Sequence, residues 1–105
     1  MMIDERVISL LRKTKTMEIS VCDDQGPWGI KVYYAMNEGF IFLLEEGSRT
    51  LRAILKNPRV SFSIDHNRPD LFVQGEGRVE ILGDPAKLDK ERGVLLSKVP
   101  EDLLF

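Results

Sequence analysis

The segment Glu45-Glu46-Gly47-Ser48-Arg49-Thr50-Leu51-Arg52 carries the residue types needed to hold a phosphate. It follows an apolar, strand-like run and opens a helix. The first backbone N–H groups of a helix have no partner within it and stand at the positive end of its dipole, so they attract anions. Ser48 and Thr50 add hydroxyl donors there. Arg49 and Arg52 add guanidinium groups, which grip phosphate through paired hydrogen bonds. Read from local sequence alone, the same residues also make an ordinary helix cap followed by solvated arginines.

Other reactive side chains are scattered. His66 is the single histidine and Cys22 the single cysteine. A metal site therefore has little to build on, and His66 reads as a loop residue. Cys22 lies on a strand with no histidine beside it and reads as a buried, inert thiol. The acidic pairs Asp23-Asp24 and Glu45-Glu46 fall in turns and read as solvated. The sequence contains no Gly-x-Ser-x-Gly, P-loop or dinucleotide-binding fingerprint.

The elements that must position these residues follow from periodicity. Asp4 is a helix cap, and Val7, Ile8, Leu10, Leu11 and Thr14 then cluster on one side at helical spacing. Met17, Ile19 and Val21 alternate with Glu18, Ser20 and Cys22, the pattern of a half-buried strand. Asp23-Asp24-Gln25-Gly26-Pro27 is a turn by its chemistry. Trp28, Ile30, Val32 and Tyr34 form the apolar face of a second strand and read as core, with Lys31 and Tyr33 opposite. After the Asn37-Glu38-Gly39 turn, Phe40-Ile41-Phe42-Leu43-Leu44 is apolar on both faces, so this third strand is expected to be central or to lie against a partner. Gly47 releases the chain and Ser48 caps a short helix that ends at Asn57-Pro58.

Val60, Phe62 and Ile64 return to strand alternation, and His66-Asn67-Arg68-Pro69-Asp70 is a loop. Residues 71–82 are long enough for a bent strand, in which Gly75 and Gly77 suggest a bulge or the close approach of another backbone or a ligand. Asp84-Pro85 opens a last helix with Leu88, Leu95, Leu96 and Val99 on its apolar side and Gly93 weakening it. Five or six short strands with helices at the joints imply a small barrel, since parallel βαβ units would need strict alternation of helix and strand.

A chain of 105 residues has room for one domain, residues 1–105, and its own core is small enough that association into a dimer is the simplest way to add to it. With 43% apolar and 30% charged residues, the composition is that of a globular protein. Fifteen cations are spread among seventeen acids, for a net charge of −2, which argues against nucleic acid as a partner. A lone cysteine suits a reducing compartment. No apolar run approaches the ~18 residues of a membrane-spanning helix, and Met1-Met2-Ile3-Asp4 lacks the start of a signal peptide. The expected location is the cytoplasm.

The order Gly47-Ser48-Arg49-Thr50, Ile54, Asn57-Pro58-Arg59-Val60-Ser61 resembles the pyridoxamine 5′-phosphate oxidase-like family of FMN-binding split barrels. In that family a Gly-Ser-Arg-Lys-like turn contacts the FMN phosphate, and an Asn-Pro-Arg-Val-Ser run starts the next strand. Gly26-Pro27-Trp28, the hairpin Asn37-Glu38-Gly39-Phe40-Ile41-Phe42 and Val73-Gln74-Gly75-Glu76-Gly77 fit as well, so the resemblance spans residues 17–82. It implies a mainly β fold: a small antiparallel split β-barrel, Greek-key-like, with short helices at the N-terminus, after strand 3 and at the C-terminus. It also implies a homodimer with FMN at its interface. The phosphate would then lie on Ser48, Arg49, Thr50 and Arg52. The isoalloxazine ring would lie against residues 29–34 and 42–44, which brings in Lys31, Val32, Tyr33, Leu43 and Leu44, with Trp28 or a partner-chain aromatic stacking on it. A positive charge on Lys31 near the flavin N1 region would stabilise the reduced anion.

The chain departs from the family pattern in identifiable places. Thr50 stands where the family often has lysine, and Leu43-Leu44 replace a Tyr-Thr pair found in the pyridoxamine oxidases. The segment that recognises pyridoxal phosphate in those enzymes, and a strand to close the barrel, would both fall beyond Phe105. The smaller members of the superfamily are therefore the better comparison. The resemblance implies an FMN-dependent oxidoreductase acting on an unidentified small molecule, with a nicotinamide or deazaflavin as electron partner. The alternatives are a non-catalytic FMN-binding electron carrier or flavin store, and a flavin-free split-barrel dimer with a structural or binding role. F420 or haem are alternatives to FMN on this scaffold, the first needing more cationic surface and the second a histidine ligand.

Overall fold

The computed structural model describes residues 4–66 and 71–100. The expected loop positions 67–70 and the C-terminal Leu103-Leu104-Phe105 lie outside the described residues. Helix α1 (Glu5–Lys13) starts at Asp4, whose carboxylate accepts from the Arg6 N–H at 2.8 Å, and it buries Leu10 and Leu11. Strand β1 (Thr16–Asp23) alternates as expected, with Met17, Ile19 and Val21 at 3%, 1% and 5% exposure and their neighbours outward. A tight turn with Gly26 at φ 109° leads into β2 (Gly26–Met36), whose residues 26–33 pair antiparallel with the whole of β1. Glycine suits that turn because a side chain there would be strained at positive φ. Strand β3 (Phe40–Phe42) pairs with the end of β2.

The chain then leaves the sheet. Gly47 at φ 77° breaks the extended run, and Ser48 caps helix α2 (Arg49–Lys56). Pro58 follows the helix and cannot continue it. Strand β4 (Arg59–Asp65) returns on the far side of β1, and β5 (Phe72–Arg78) pairs with β4. A 3-10 turn at Pro85–Lys87, capped by Asp84, precedes helix α3 (Asp89–Leu96). The sheet order is β3-β2-β1-β4-β5 and every pairing is antiparallel. Three consecutive strands with a fourth returning beside the first make a Greek key. The five strands curl into a half-barrel, as expected for a mainly β split barrel with three helices.

One core cluster fills the curl between α1 and the sheet, built on Leu10, Leu11, Met17, Ile19, Val32, Tyr34 and Ile64. A second joins Val21 to Ala53 and Ile54 of α2, which is what seats that helix against β1. Burying each of these aliphatic side chains stabilises the fold by about 1.5–3 kcal/mol. Tyr34 is fully buried with its hydroxyl 2.6 Å from Thr14 Oγ1 and 3.1 Å from the Leu11 carbonyl, while Thr14 reaches the Leu10 carbonyl at 2.8 Å. Lys98 lies 3.8 Å from the centre of the Tyr34 ring and donates to the Leu11 carbonyl at 3.0 Å, tying the segment after α3 to the end of α1.

Three expectations change. The run beginning at Phe40 is not central: β3 is an edge strand and all three residues are half-buried. No bulge interrupts β5, whose register with β4 runs unbroken from Arg59↔Arg78 to Asp65↔Phe72. What approaches Gly75 is a side chain and not a backbone or ligand: a Cβ there would sit 3.0 Å from the Phe62 ring across the ladder. The strand ends at Arg78, leaving Ile81 and Leu82 exposed.

Candidate functional site

The start of α2 carries the most chemistry. Ser48 is extended, and its Oγ accepts from the Leu51 N–H at 3.2 Å, leaving its own O–H to donate elsewhere. The first N–H groups of the helix have no acceptor within it. Arg49 reaches back to the β1–β2 turn and grips Asp23 in a fork: Nε to Oδ2 at 2.8 Å and Nη2 to Oδ1 at 3.0 Å. Both side chains are mostly shielded, at 24% and 17% exposure. The guanidinium also lies 4.4 Å over the centre of the Trp28 ring. Asp23 Oδ1 accepts a further bond, from the Gln25 N–H at 2.9 Å. The Arg49 hydrogen bonds, aided by that backbone donor, hold the Asp23 carboxyl down at about 2. Arg52 donates through Nη1 to the Gly47 carbonyl, folding over the turn.

Between α2 and the β1–β2 turn lies a groove of about 380 Å³, lined by Asp23, Asp24 and Gln25 on one side and Arg49, Arg52 and Lys56 on the other. Arg49, Arg52 and Lys56 are spaced i, i+3, i+7, which sets them on one face of the helix. A larger cavity of about 770 Å³ opens inside the curl of the sheet, with Phe40, Phe42, Leu44, Val60 and Phe62 among its walls.

The residues expected to bind a cofactor fall in three places. Ser48, Arg49 and Arg52 come together at the helix start, and Thr50 beside them is 2% exposed. Leu43 and Leu44 line the larger cavity, away from the arginines. Lys31 and Tyr33 stand on the other face of the sheet, in register with Glu18 and Thr16. Val32 points into the core at 8% exposure, which leaves its backbone as the part able to meet a ligand. On the outer face around Lys31, the rows Gly29–Ser20–Ser61–Glu76 and Lys31–Glu18–Ser63–Gln74 hold several small side chains.

Three sequence readings are corrected here. Trp28 is 39% exposed and not core, because β2 runs past the covered part of the sheet before it reaches Val32. Cys22 is exposed and not buried, since it alternates with Val21 and takes the outward face. Asp23 is no merely solvated turn residue. Its partner lies 26 positions away, so no local pattern announces the pair. Opposite charge at two turns flanking one sheet was the available signal. His66 is exposed at the end of β4, as a loop residue should be.

Among the described residues no helix is long and apolar enough to cross a membrane, and no group of three or more His, Cys, Asp or Glu side chains is gathered to hold a metal.

The curled antiparallel sheet with its three helices defines a split-barrel protein. Residues 3–100 match the pyridoxamine 5′-phosphate oxidase family profile, and the chain belongs to that family. Three solved structures share the fold. A conserved hypothetical protein from Mycobacterium tuberculosis superposes with a TM-score of 0.77 at 21% identity, over 95% of this chain and 66% of its own. HutZ, described as the heme storage protein from Vibrio cholerae, gives 0.71 at 18% identity, over 90% of this chain and 71% of its own. A FAD-binding protein from Mesorhizobium loti gives 0.69 at 22% identity, over 92% of this chain and 75% of its own. The chain thus spans about two thirds of the length of the first of these. A comparison with curated proteins finds no significant match.

Proposed function

We propose that the chain binds a flavin, FMN by preference, as a homodimer, and that it serves as an FMN-dependent oxidoreductase on a small organic substrate in the cytoplasm. The observation that carries the flavin reading is the Arg49 guanidinium at the start of α2, already holding an oxyanion in a two-bond fork over the Trp28 ring. A phosphomonoester presents the same acceptor geometry, and Ser48, the first helix N–H groups and Arg52 stand at the same end of α2 as further donors. The donor set therefore fits the FMN phosphate. The groove is of the size class of small-molecule sites, about 300–1,000 Å³. Family membership supports the same reading.

A bound flavin would supply electron or hydride transfer, and the protein's part is to bind, orient and tune it. Ser48, Arg49 and Arg52 would anchor the phosphate. Lys31 and Tyr33, with the backbone at Val32, would meet the ring on the outer face, and Lys31 would favour a negatively charged ring by its own charge. These two sets stand on opposite faces of β2 in one protomer, because Trp28 and Lys31 are three residues apart in a strand. A flavin that uses both is most simply shared between two chains, which supports the homodimer. Leu43 and Leu44, which follow β3 and line the cavity inside the curl, are not brought to that face in one protomer.

The test is the visible spectrum of the purified protein, followed by FMN titration with Arg49→Ala alongside. A flavin band near ~450 nm, or tight FMN binding lost in the variant, is the expected result. A screen of nicotinamide and deazaflavin donors then separates an enzyme from an electron carrier or flavin store. An intense haem band instead would move the cofactor to a site using the exposed His66, and a colourless protein indifferent to FMN would end the flavin reading.

A further inference from the structure

We propose that Asp23 is an internal anion that occupies the Arg49 guanidinium until a ligand phosphate displaces it, so that this exchange sets the chain's preference for phosphorylated over unphosphorylated flavin. The inference rests on Arg49 being the phosphate contact.

The geometry is that of a replaceable ligand. Asp23 takes the Nε and Nη2 edge of the guanidinium with both carboxylate oxygens, the arrangement a phosphate would adopt. A phosphate arriving at that edge must displace the carboxylate. A phosphate arriving at the remaining Nη1 edge must bind beside its negative charge. Either way, Asp23 opposes binding. Releasing Arg49 does not strand the carboxylate, because Oδ1 keeps the Gln25 N–H as a donor and Asp23 opens onto the solvent-filled groove. Arg49 does not lose its place either. The Trp28 ring supports the guanidinium plane from below and is indifferent to which anion sits at its edge.

The charge around the groove points the same way. Arg49, Arg52 and Lys56 face Asp23 and Asp24 across it, so three cations meet two acids. Neutralising Asp23 removes half of the opposing charge while leaving every cation in place. An unphosphorylated flavin makes no demand on the Arg49 fork, so its binding is blind to Asp23.

The experiment titrates FMN and riboflavin into wild type, Asp23→Asn, Asp23→Ser and Arg49→Ala, following flavin fluorescence. Both Asp23 replacements can still accept from the Gln25 N–H and so preserve the turn. They are expected to bind FMN about tenfold more tightly, the scale of one charge-assisted hydrogen bond, with riboflavin affinity within about twofold of wild type. The gain should disappear in the Asp23→Asn/Arg49→Ala double variant. Unchanged or weaker FMN binding in both Asp23 variants overturns the exchange and leaves Asp23 as a support for Arg49. Loss of the flavin reading shows elsewhere, as a wild type that binds neither FMN nor riboflavin, and loss of Arg49 as the phosphate contact shows as an Arg49→Ala variant that binds FMN like wild type. Inorganic phosphate followed on the Arg49 Nε–H NMR signal gives a readout free of any flavin. The exchange requires the signal to shift at lower phosphate concentration in Asp23→Asn than in wild type, and equal midpoints overturn it.

Discussion

A carboxylate and a guanidinium 26 positions apart in sequence meet in a two-bond fork, and that pair governs the local acid behaviour of the protein. Arg49 holds the Asp23 carboxyl at about 2, below its ordinary 3.8. A carboxyl depressed by folding adds stability above its unfolded value, and that contribution is lost as pH falls through the folded one. The Arg49→Ala variant is therefore expected to return Asp23 toward 3.8, measured by carbon-detected NMR of the side-chain carboxyl. The gap in melting temperature between wild type and variant should be present at neutral pH and close as pH falls from about 3.8 to about 2. A gap that is unchanged at low pH would mean that Arg49 stabilises the fold through its stack on Trp28 and not through the ion pair. Ser48 as the cap of α2 was legible in the sequence. The partner of Arg49 was not, because pairing across a turn and a helix start depends on how α2 seats on Val21 and not on any local spacing.

Elements were legible wherever one face of a strand or helix is covered. Met17, Ile19 and Val21 alternate cleanly because helices α1 and α2 pack on that face of β1. The same alternation misled at Trp28, where β2 continues beyond its cover. Within the covered region, Tyr34 fastens α1 to β2. Two hydroxyl protons, on Tyr34 and Thr14, serve three close contacts there. Removing one hydroxyl by Tyr34→Phe leaves Thr14 bonded to the Leu10 carbonyl and Lys98 on the Leu11 carbonyl, so nothing buried is stranded. The cost in chemical denaturation should be about 0.5–1.5 kcal/mol, the net worth of a neutral hydrogen bond. Burial raises the Tyr34 pKa above its ordinary 10.0. Its contribution is accordingly full below 10.0 and is lost as pH rises through the folded value, and Tyr34→Phe should flatten that alkaline loss. The two glycines of β5 separate in the same way. A Cβ at Gly77 meets nothing within 4 Å, while one at Gly75 presses on the Phe62 ring. Gly77→Ala is expected to stabilise by about 0.4–1 kcal/mol through the unfolded chain. Gly75→Val should destabilise by about 1–3 kcal/mol through overpacking. Equal melting temperatures for the two variants would remove close approach as the reason for Gly75.

At the scale of the molecule, the sheet described ends in two edges, β3 and β5. The apolar character of the run from Phe40 suggested a central strand or one against a partner, and β3 is an edge strand whose three residues are half-buried. Exposed apolar edges are a liability that proteins cover. The two parts of the proposed flavin site also lie on opposite faces of β2, with Arg49 over Trp28 on one and Lys31 on the other. A dimer resolves both features, and it makes a prediction that no monomer shares. Sedimentation velocity should give a species of twice the 12.0 kDa chain. If each flavin takes Arg49 from one chain and Lys31 from its partner, Arg49→Ala and Lys31→Glu homodimers each have two defective sites. Mixing the two variants under subunit exchange places both substitutions in one site and leaves the other with native Arg49 and Lys31. Up to half of the mixed dimers' sites should then regain wild-type FMN affinity, read as a tight phase in the titration. If one chain supplies both residues, every site in the mixture carries a substitution, no tight phase returns, and the shared site is excluded.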